Sequence, residues 1–396
     1  MRVYFDNAAT TKPSRAAIEA YTKALCEDFA NPSSLHEPGQ KAKEKLEEAR
    51  AVFAAAIGAK ANEIYFTSGG SESDNQAIIS AARAGKRKGK NKIISTAIEH
   101  HAVLHTLNKL KQDGFEIVLL PVSSTGLVTA EQVAAAIDER TCLVAVMYAN
   151  NEIGTVLPIA EIGAVCRARG VPLFTDAVQA VGHEKIDVQA QNIDYLSLSA
   201  HKFHGPKGVG ALYVRKGMPL SSLIEGGAQE RGRRAGTENL PGIISAAVAI
   251  EEATKNLEQN RARVLPLRDR LIAGLSEIPH SVLNGEKEKR LFSNVHFCFE
   301  GIEGESLLLM LSDQGIAASS GSACTSGSLD PSHVLLAIGR PHEIAHGSLR
   351  LTLDETATAE QVDYVIDKVK EIVGYLRNMS PVWRDLKEGK REFIIK

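Results

Sequence analysis

Ser199-Ala200-His201-Lys202-Phe203-His204-Gly205-Pro206-Lys207-Gly208 follows directly on the apolar run Ile193–Leu198 and closes in a Gly/Pro turn. It sets a lysine between two histidines at the mouth of a buried strand. That position is unfavourable for an ammonium unless the site uses it, and the usual use is as an amine that forms a Schiff base. Upstream, a second apolar run, Val171–Phe174, ends in Thr175-Asp176-Ala177-Val178-Gln179. A strand-end lysine and a strand-end carboxylate are the two anchors of pyridoxal phosphate (PLP): the lysine makes the imine and the aspartate pairs with the pyridinium nitrogen. A purely structural Asp–Lys ion pair is the alternative these two residues leave open.

Outward from this pair, short β-rich runs alternate with helical stretches from about residue 60 to residue 215. The runs are Glu63–Thr67, Lys92–Ser95, Glu116–Pro121, Cys142–Tyr148, Pro172–Asp176, Tyr195–Ser199 and Gly210–Val214, with helical cores such as Glu131–Asp138 and Ile159–Arg169 between them. This alternation predicts the α/β class: a mostly parallel seven-stranded sheet flanked by helices, with its ligand beyond the carboxyl ends of the strands. The polar clusters Ser68–Asn75, Glu99–His101, Asn150–Gly154, Asp176–Gln179 and Ser199–His204 fall where that rule puts a site. Past residue 250 a long charged helix, Ile250–Glu277, leads into strand-like runs at Asn294–Phe299 and Ser348–Leu353. A smaller α/β domain is expected there, with the first dozen residues packed against it.

The 396 residues suffice for two domains and a large core, and 46 basic against 48 acidic side chains leave a formal charge of −2. That balance argues against nucleic acid or an anionic membrane as an obligatory partner. The basic run Lys86–Lys92 carries no aromatic residues and is expected to be a solvated helix end and turn. Met1–Asp6 has no signal-peptide apolar region and no run approaches membrane length, so a cytoplasmic protein is expected. Five scattered cysteines without a CxxC pair point to reduced thiols rather than a disulfide framework.

Three further motifs carry chemistry. Thr67-Ser68-Gly69-Gly70-Ser71-Glu72-Ser73-Asp74-Asn75 lies between a strand and a helix predicted to start near Asn75. Glycines and hydroxyls there suit an anion such as the PLP phosphate, while the lysine of a P-loop is absent. In Glu99–His105, His101 and His105 stand four apart, but no HExxH glutamate and no third ligand accompany them, so no metal is expected. His100 is the better candidate, as an aromatic plate over the PLP ring and a proton carrier. Ser319-Ser320-Gly321-Ser322-Ala323-Cys324-Thr325-Ser326-Gly327-Ser328 is a small-residue loop predicted to be mobile, with one thiol able to react and carry its product; an incidental surface cysteine is the alternative. Arg350, in the strand-like Ser348–Leu351, is a candidate fork for a substrate carboxylate.

Together, Ser199–Lys202, Thr175–Gln179, Asn150-Asn151-Glu152-Ile153-Gly154, Arg234-Ala235-Gly236-Thr237-Glu238-Asn239 and Ser319–Ser328 resemble the cysteine desulfurases, PLP enzymes of the class V aminotransferase group. The resemblance runs from Tyr4-Phe5-Asp6-Asn7 to Met379-Ser380-Pro381-Val382-Trp383. The loop with its continuation Leu329–Leu335 is similar to the subgroup that serves nitrogenase and general iron–sulfur assembly, and Gly236–Asn239 leans toward the nitrogen-fixation branch.

The resemblance implies a fold type I PLP-dependent transferase acting as a homodimer. It gives Lys202 the PLP imine and proton transfer at the substrate Cα. It gives Asp176 the pyridine nitrogen, Gln179 the ring oxygen and His100 the stacking role. Gly70, Ser71, Ser199 and His201 go to the phosphate, with Thr237 reaching in from the second subunit. Asn151 and Arg350 go to the substrate carboxylate, and Cys324 becomes the nucleophile. Ser71 replaces the threonine of many relatives and keeps the hydroxyl. The implied reaction turns L-cysteine into L-alanine, leaving a persulfide on Cys324 for an iron–sulfur scaffold or other acceptor protein. A selenocysteine lyase, a class V aminotransferase and a non-catalytic sulfur carrier are the alternatives. A large PLP-binding domain is expected at 12–256, with 1–11 and 257–396 forming the small domain that carries the cysteine loop (about 319–330). The charged tail from Arg377 onward is expected to help dock the acceptor.

Overall fold

All seven runs enter one sheet. In the computed structural model, which describes residues 1–320 and 331–395, the sheet order is Ile64–Thr67, Gly210–Val214, Tyr195–Ser199, Leu173–Asp176, Thr141–Ala145, Lys92–Thr96, Glu116–Leu120. Every pairing is parallel except the two made by Gly210–Val214, which alone runs the other way. The strand Tyr195–Ser199 is buried at all five positions, as expected where helices cover both faces of a parallel sheet. One apolar core, with Phe53, Ile94, Val144 and Leu196, fills one face, and another, with Ile78, Leu143, Phe174 and Tyr195, fills the other.

Helix ends follow local chemistry. Thr129 with Gln132 and Thr358 with Gln361 form reciprocal capping boxes that open Ala130–Ala136 and Ala359–Met379. Gly170, at φ +63°, closes Ile159–Arg169 in the left-handed region that favours glycine.

Two predicted helices differ from expectation. The one placed near Asn75 begins at Gly70 and runs to Lys86, so the glycine-rich motif is itself the first turn of the helix. The long charged helix is two, Leu240–Lys255 and Leu257–Ser276, broken at Asn256. The second of these packs into the other core through Val264, Leu271 and Leu275.

That other core surrounds a three-stranded antiparallel sheet, Ser348–Thr352, Asn294–Phe299 and Ser281–Leu283 in spatial order, with Phe297 opposite Leu349. Phe299, Leu271, Leu351 and Val369 fill it together with Val3 and Phe5. The chain start pairs with this unit: Val3–Tyr4 lies parallel to Ile316–Ala317, and Thr352 donates its N–H to the Phe5 carbonyl at 2.7 Å. Among the described residues no helix is long and apolar enough to cross a membrane.

Candidate active site

The carboxyl ends of the parallel strands open on one cavity of about 310 Å³, and Lys202, Asp176, His100, Ser71, Asn151 and Arg350 all line it. Its floor starts where Ile64–Thr67 hands over to the helix Gly70–Lys86. A Cβ on Gly70 would sit 2.6 Å from Val178 Cγ2, and one on Gly210 would sit 2.6 Å from Gly69 Cα. Only glycine at both places lets the helix N-terminus press against the Asp176–Gln179 segment and the antiparallel strand. The first-turn N–H groups, around Gly70 and Ser71, have no acceptors within the helix and face an anion favourably. Ser199, at the end of its strand, and His201 also line the cavity. His201 Nδ1 lies 3.2 Å from Thr10 Oγ1. Burial, with the Lys202 and Lys207 charges, pushes His201 down to about 4, so it is neutral at pH 7.

Lys202 sits on the one-turn helix Ala200–Lys202 that follows Tyr195–Ser199. Its Nζ donates to the carbonyls of Ala8 at 2.6 Å and Ala9 at 2.8 Å. The same N-terminal segment clasps the lysine turn: Thr11 N–H donates to His201 O at 2.9 Å, and His204 N–H to Thr11 Oγ1 at 2.8 Å. Sequence reasoning assigned the first dozen residues only to the small unit, yet they also build the wall against which Lys202 rests. Gln179 Nε2 donates to Ala8 O at 3.0 Å.

Asp176, buried, accepts the Val178 N–H at 2.9 Å. Burial raises its carboxyl, against the opposing pull of His100, that N–H and Lys202. His100 caps the helix His101–Gln112, its Nδ1 accepting from Ala102 N–H at 3.1 Å. Arg350 is 2% exposed. One of its terminal nitrogens donates to Asn151 O and the other to Asp6 Oδ1, both at 3.0 Å. Its Nε has no partner among the described residues. Arg350 is therefore an interior arginine of its strand.

Three buried acids on the cavity or its rim escaped sequence reasoning. Asp74 was seen only as part of the polar cluster Ser68–Asn75. It occupies the inward stripe of the helix with Gly70, Ser73, Ala77 and Ala81, and a carboxylate on the apolar stripe of a helix was the signal that marked it. Burial pushes Glu99 up to about 8 and Glu152 up to about 7, although Thr96 and Met147 N–H oppose this at Glu99 and Ser332 opposes it at Glu152.

Cys324 lies outside the described residues, as do the predicted mobility of 321–330 and the cysteine's relation to the cavity. Both stems of that segment are tied to cavity residues. Before it, Ser319 and Arg350 exchange backbone hydrogen bonds of 3.2 and 2.6 Å. After it, Ser332 Oγ donates to Glu152, and His333 Nε2 bonds the Glu99 carbonyl at 2.9 Å. Of the other cysteines, Cys26 is exposed, while Cys142, Cys166 and Cys298 are buried with thiols pushed up to about 11, 12 and 12, which makes those three poor nucleophiles near neutrality. The predicted phosphate ligand Thr237 is not brought to this cavity within the chain. It is exposed beside a separate small cleft that includes Ser68, Arg234 and Gly236. The His101 and His105 rings stand 5.3 Å apart and His333 stands 4.7 Å from His101.

A lysine, a strand-end carboxylate and a helix N-terminus on the switch side of a fold of this kind define a class, and the family model for class-V aminotransferases matches residues 3–365. The chain belongs to that family of PLP-dependent enzymes and, within it, to the cysteine desulfurases. It is 54% identical over 380 residues to cysteine desulfurase IscS of Methanosarcina thermophila, covering 96% of this chain and 94% of the relative. It is 45% identical over 383 residues to cysteine desulfurase NifS of Azotobacter vinelandii, covering 96% and 95%. A solved structure titled a NifS-like protein superposes with a TM-score of 0.89 at 39% identity, covering 95% of this chain and all of the other.

Proposed function

We propose that this chain takes L-cysteine, releases L-alanine and carries the sulfur as a persulfide on Cys324 before passing it to an iron–sulfur scaffold or another acceptor protein. The observation that carries the reading is convergence: Lys202, Asp176 and Arg350 face one cavity, and two of its lining residues, Arg350 and Glu152, hold the stems on either side of the segment bearing Cys324.

The donor set fits PLP, because the amine, the buried carboxylate and the glycine-opened helix N-terminus share that cavity. When bound, PLP supplies an electron sink for the substrate Cα. Lys202 would hold it covalently and move the proton at Cα; Asp176 would serve the ring nitrogen, Gln179 the ring oxygen and His100 the ring by stacking. Gly70, Ser71, Ser199 and the neutral His201 would hold the phosphate, with Thr237 supplied by the second subunit of a homodimer. Arg350 offers its open Nε, with Asn151, to the substrate carboxylate. Cys324 then forms an S–S bond to the substrate sulfur as the C–S bond breaks; cysteine and thiol become alanine and persulfide. The domain division at 256/257, a cytoplasmic setting and docking of the acceptor near the tail from Arg377 complete the reading. The helices on either side of Asn256 support the division, Leu240 and Ile250 packing in the large-sheet core and Leu271 and Leu275 in the other, while Leu291, Cys298 and Val334 cross it by joining the large-sheet core.

The test measures alanine and enzyme-bound persulfide from L-cysteine in wild type and Cys324→Ala. Both products in the wild type and neither in the PLP-loaded variant are expected. Equal alanine from the variant would overturn the role of Cys324 and favour a lyase or an aminotransferase.

A further inference from the structure

Asp74 has no place in the scheme above, yet it lies in the same cavity. It is 1% exposed, and its Oδ1 has no hydrogen-bond partner among the described residues. One donor atom each from Asp74, His100 and Asp176 fall within 4.8 Å of one another. The helix stripe that carries Asp74 therefore delivers a second carboxyl to the one expected to face the cofactor nitrogen. Two carboxylates this close, away from water, do not both ionise, so the pair holds one proton.

The surroundings decide which carboxyl keeps it. Asp176 has the Val178 N–H, the Lys202 charge and the His100 ring beside it, all favouring its ionised form. Asp74 is faced by Asp176, by Glu99 and by the Ser197 hydroxyl, with the His100 ring within reach of both carboxyls. Burial, then the Asp176 charge, raises Asp74 well above the ordinary carboxyl range.

We propose that Asp74 is a positioning residue for Asp176: it is the neutral acid of the pair, and by keeping the shared proton it leaves the single negative charge on Asp176, where the cofactor nitrogen needs it. The inference rests on the PLP reading above. It assigns Asp74 no contact with substrate; its effect passes through Asp176.

The experiment compares wild type, Asp74→Asn and Asp74→Ala, first without cofactor and then loaded with PLP. Asn mimics the neutral acid in shape and can donate. In the apo proteins, thermal melting is followed from pH 5 to 9. The sign follows from linkage: an acid whose proton is held more tightly in the native state than in the unfolded one loses stability as pH rises above the unfolded value. Wild type should therefore lose melting temperature relative to Asp74→Asn as pH rises, the Glu99 contribution being common to both.

In the loaded proteins, Asp74→Ala should shift the pH midpoint of the cofactor's visible absorption by about one unit and weaken PLP about tenfold, a loss equivalent to about 1.4 kcal/mol. Asp74→Asn should restore most of both. An Asn variant destabilised equally at every pH, or as impaired in absorption midpoint as Ala, would mean that Asp74 works as an ionised carboxylate and overturn the inference. So would an Ala variant with an unmoved midpoint. Should Ala fail to fold, the apo melting comparison with Asn still decides. Failure of the wild type itself to take up PLP would instead strike the parent reading.

Discussion

Glu230 and Asp176 are carboxylates of nearly equal inaccessibility, 4% and 6% exposed, in very different company. Glu230 meets the Arg50 guanidinium through two bonds of 2.7 Å and accepts the Phe66 N–H at 2.9 Å, while Arg50 also reaches the Ile64 carbonyl at 3.0 Å. The anchor sits on left-handed backbone, Glu230 and Arg231 having φ of +47° and +58°. Asp176 has one backbone N–H and a second carboxyl beside it. A buried charge that the protein fully satisfies is there for the fold. A buried charge kept among open valences and like charge awaits something the protein must bind.

Substitutions separate the two. Glu230→Ala strands the Arg50 guanidinium in the interior and should lower unfolding free energy by about 3–5 kcal/mol, read as a lower urea midpoint. A loss of PLP binding without a loss of stability would break the comparison. Asp176→Asn should behave in the opposite way. It removes a buried charge that the apo protein satisfies only in part, so the apo melting temperature holds or rises. Alanine formation from cysteine falls on the order of 100-fold or more, because a charge aimed at the reacting system is gone. A destabilised, fully active variant would reverse the assignment.

Gly70→Ala sharpens the picture by leaving charges alone. The new Cβ would press on Val178 Cγ2 at 2.6 Å, and overpacking of about 1–3 kcal/mol is the general result. The helix N-terminus shifts, and PLP affinity should fall about tenfold in a fluorescence titration; unchanged affinity would remove that N-terminus from the site.

The smallest effect belongs to an intermediate case, His204 with Glu355 at 3.4 Å, which ties the lysine segment to the small unit. Burial opposes both charged forms, but their mutual hydrogen bond and attraction outweigh it, raising His204 and lowering Glu355. The His204 contribution is complete below its unfolded value of about 6.5 and is lost as pH rises through the raised native value; the Glu355 contribution is present above about 4.5 and lost on acidification. Glu355→Gln should thus lower the melting temperature most between about pH 4.5 and 6.5, and hardly at all at pH 9. An equal loss at both ends would show that packing, and not the ion pair, joins these segments.

Much of the fold was legible in the chain because parallel strands buried on both faces read as compact apolar runs, and all seven did. The strand-end rule then placed Lys202, Asp176, His100 and Asn151 at one edge. Less legible were contacts between residues far apart in sequence. Nothing near Ala8 or Ala9 signals that their carbonyls receive Lys202. Nothing in Ser348–Leu351 distinguishes a buried arginine held by Asp6 and Asn151 from a surface one. The start of the helix at Gly70 was missed because glycines and serines read as loop until a neighbour such as Val178 makes their small size a packing requirement.

Alone, the sequence determined the α/β class, the order of strands and helices, the lysine and aspartate at the strand ends and the kinship with cysteine desulfurases, since all of these reside in local pattern and spacing. The tertiary structure decided which buried charges are satisfied and which are not. It closed Arg50 on Glu230 and left Asp176 facing Asp74, because desolvation and hydrogen-bond pairing depend on what surrounds a group in space, and that surrounding is assembled from segments as distant as Asp6 and Arg350.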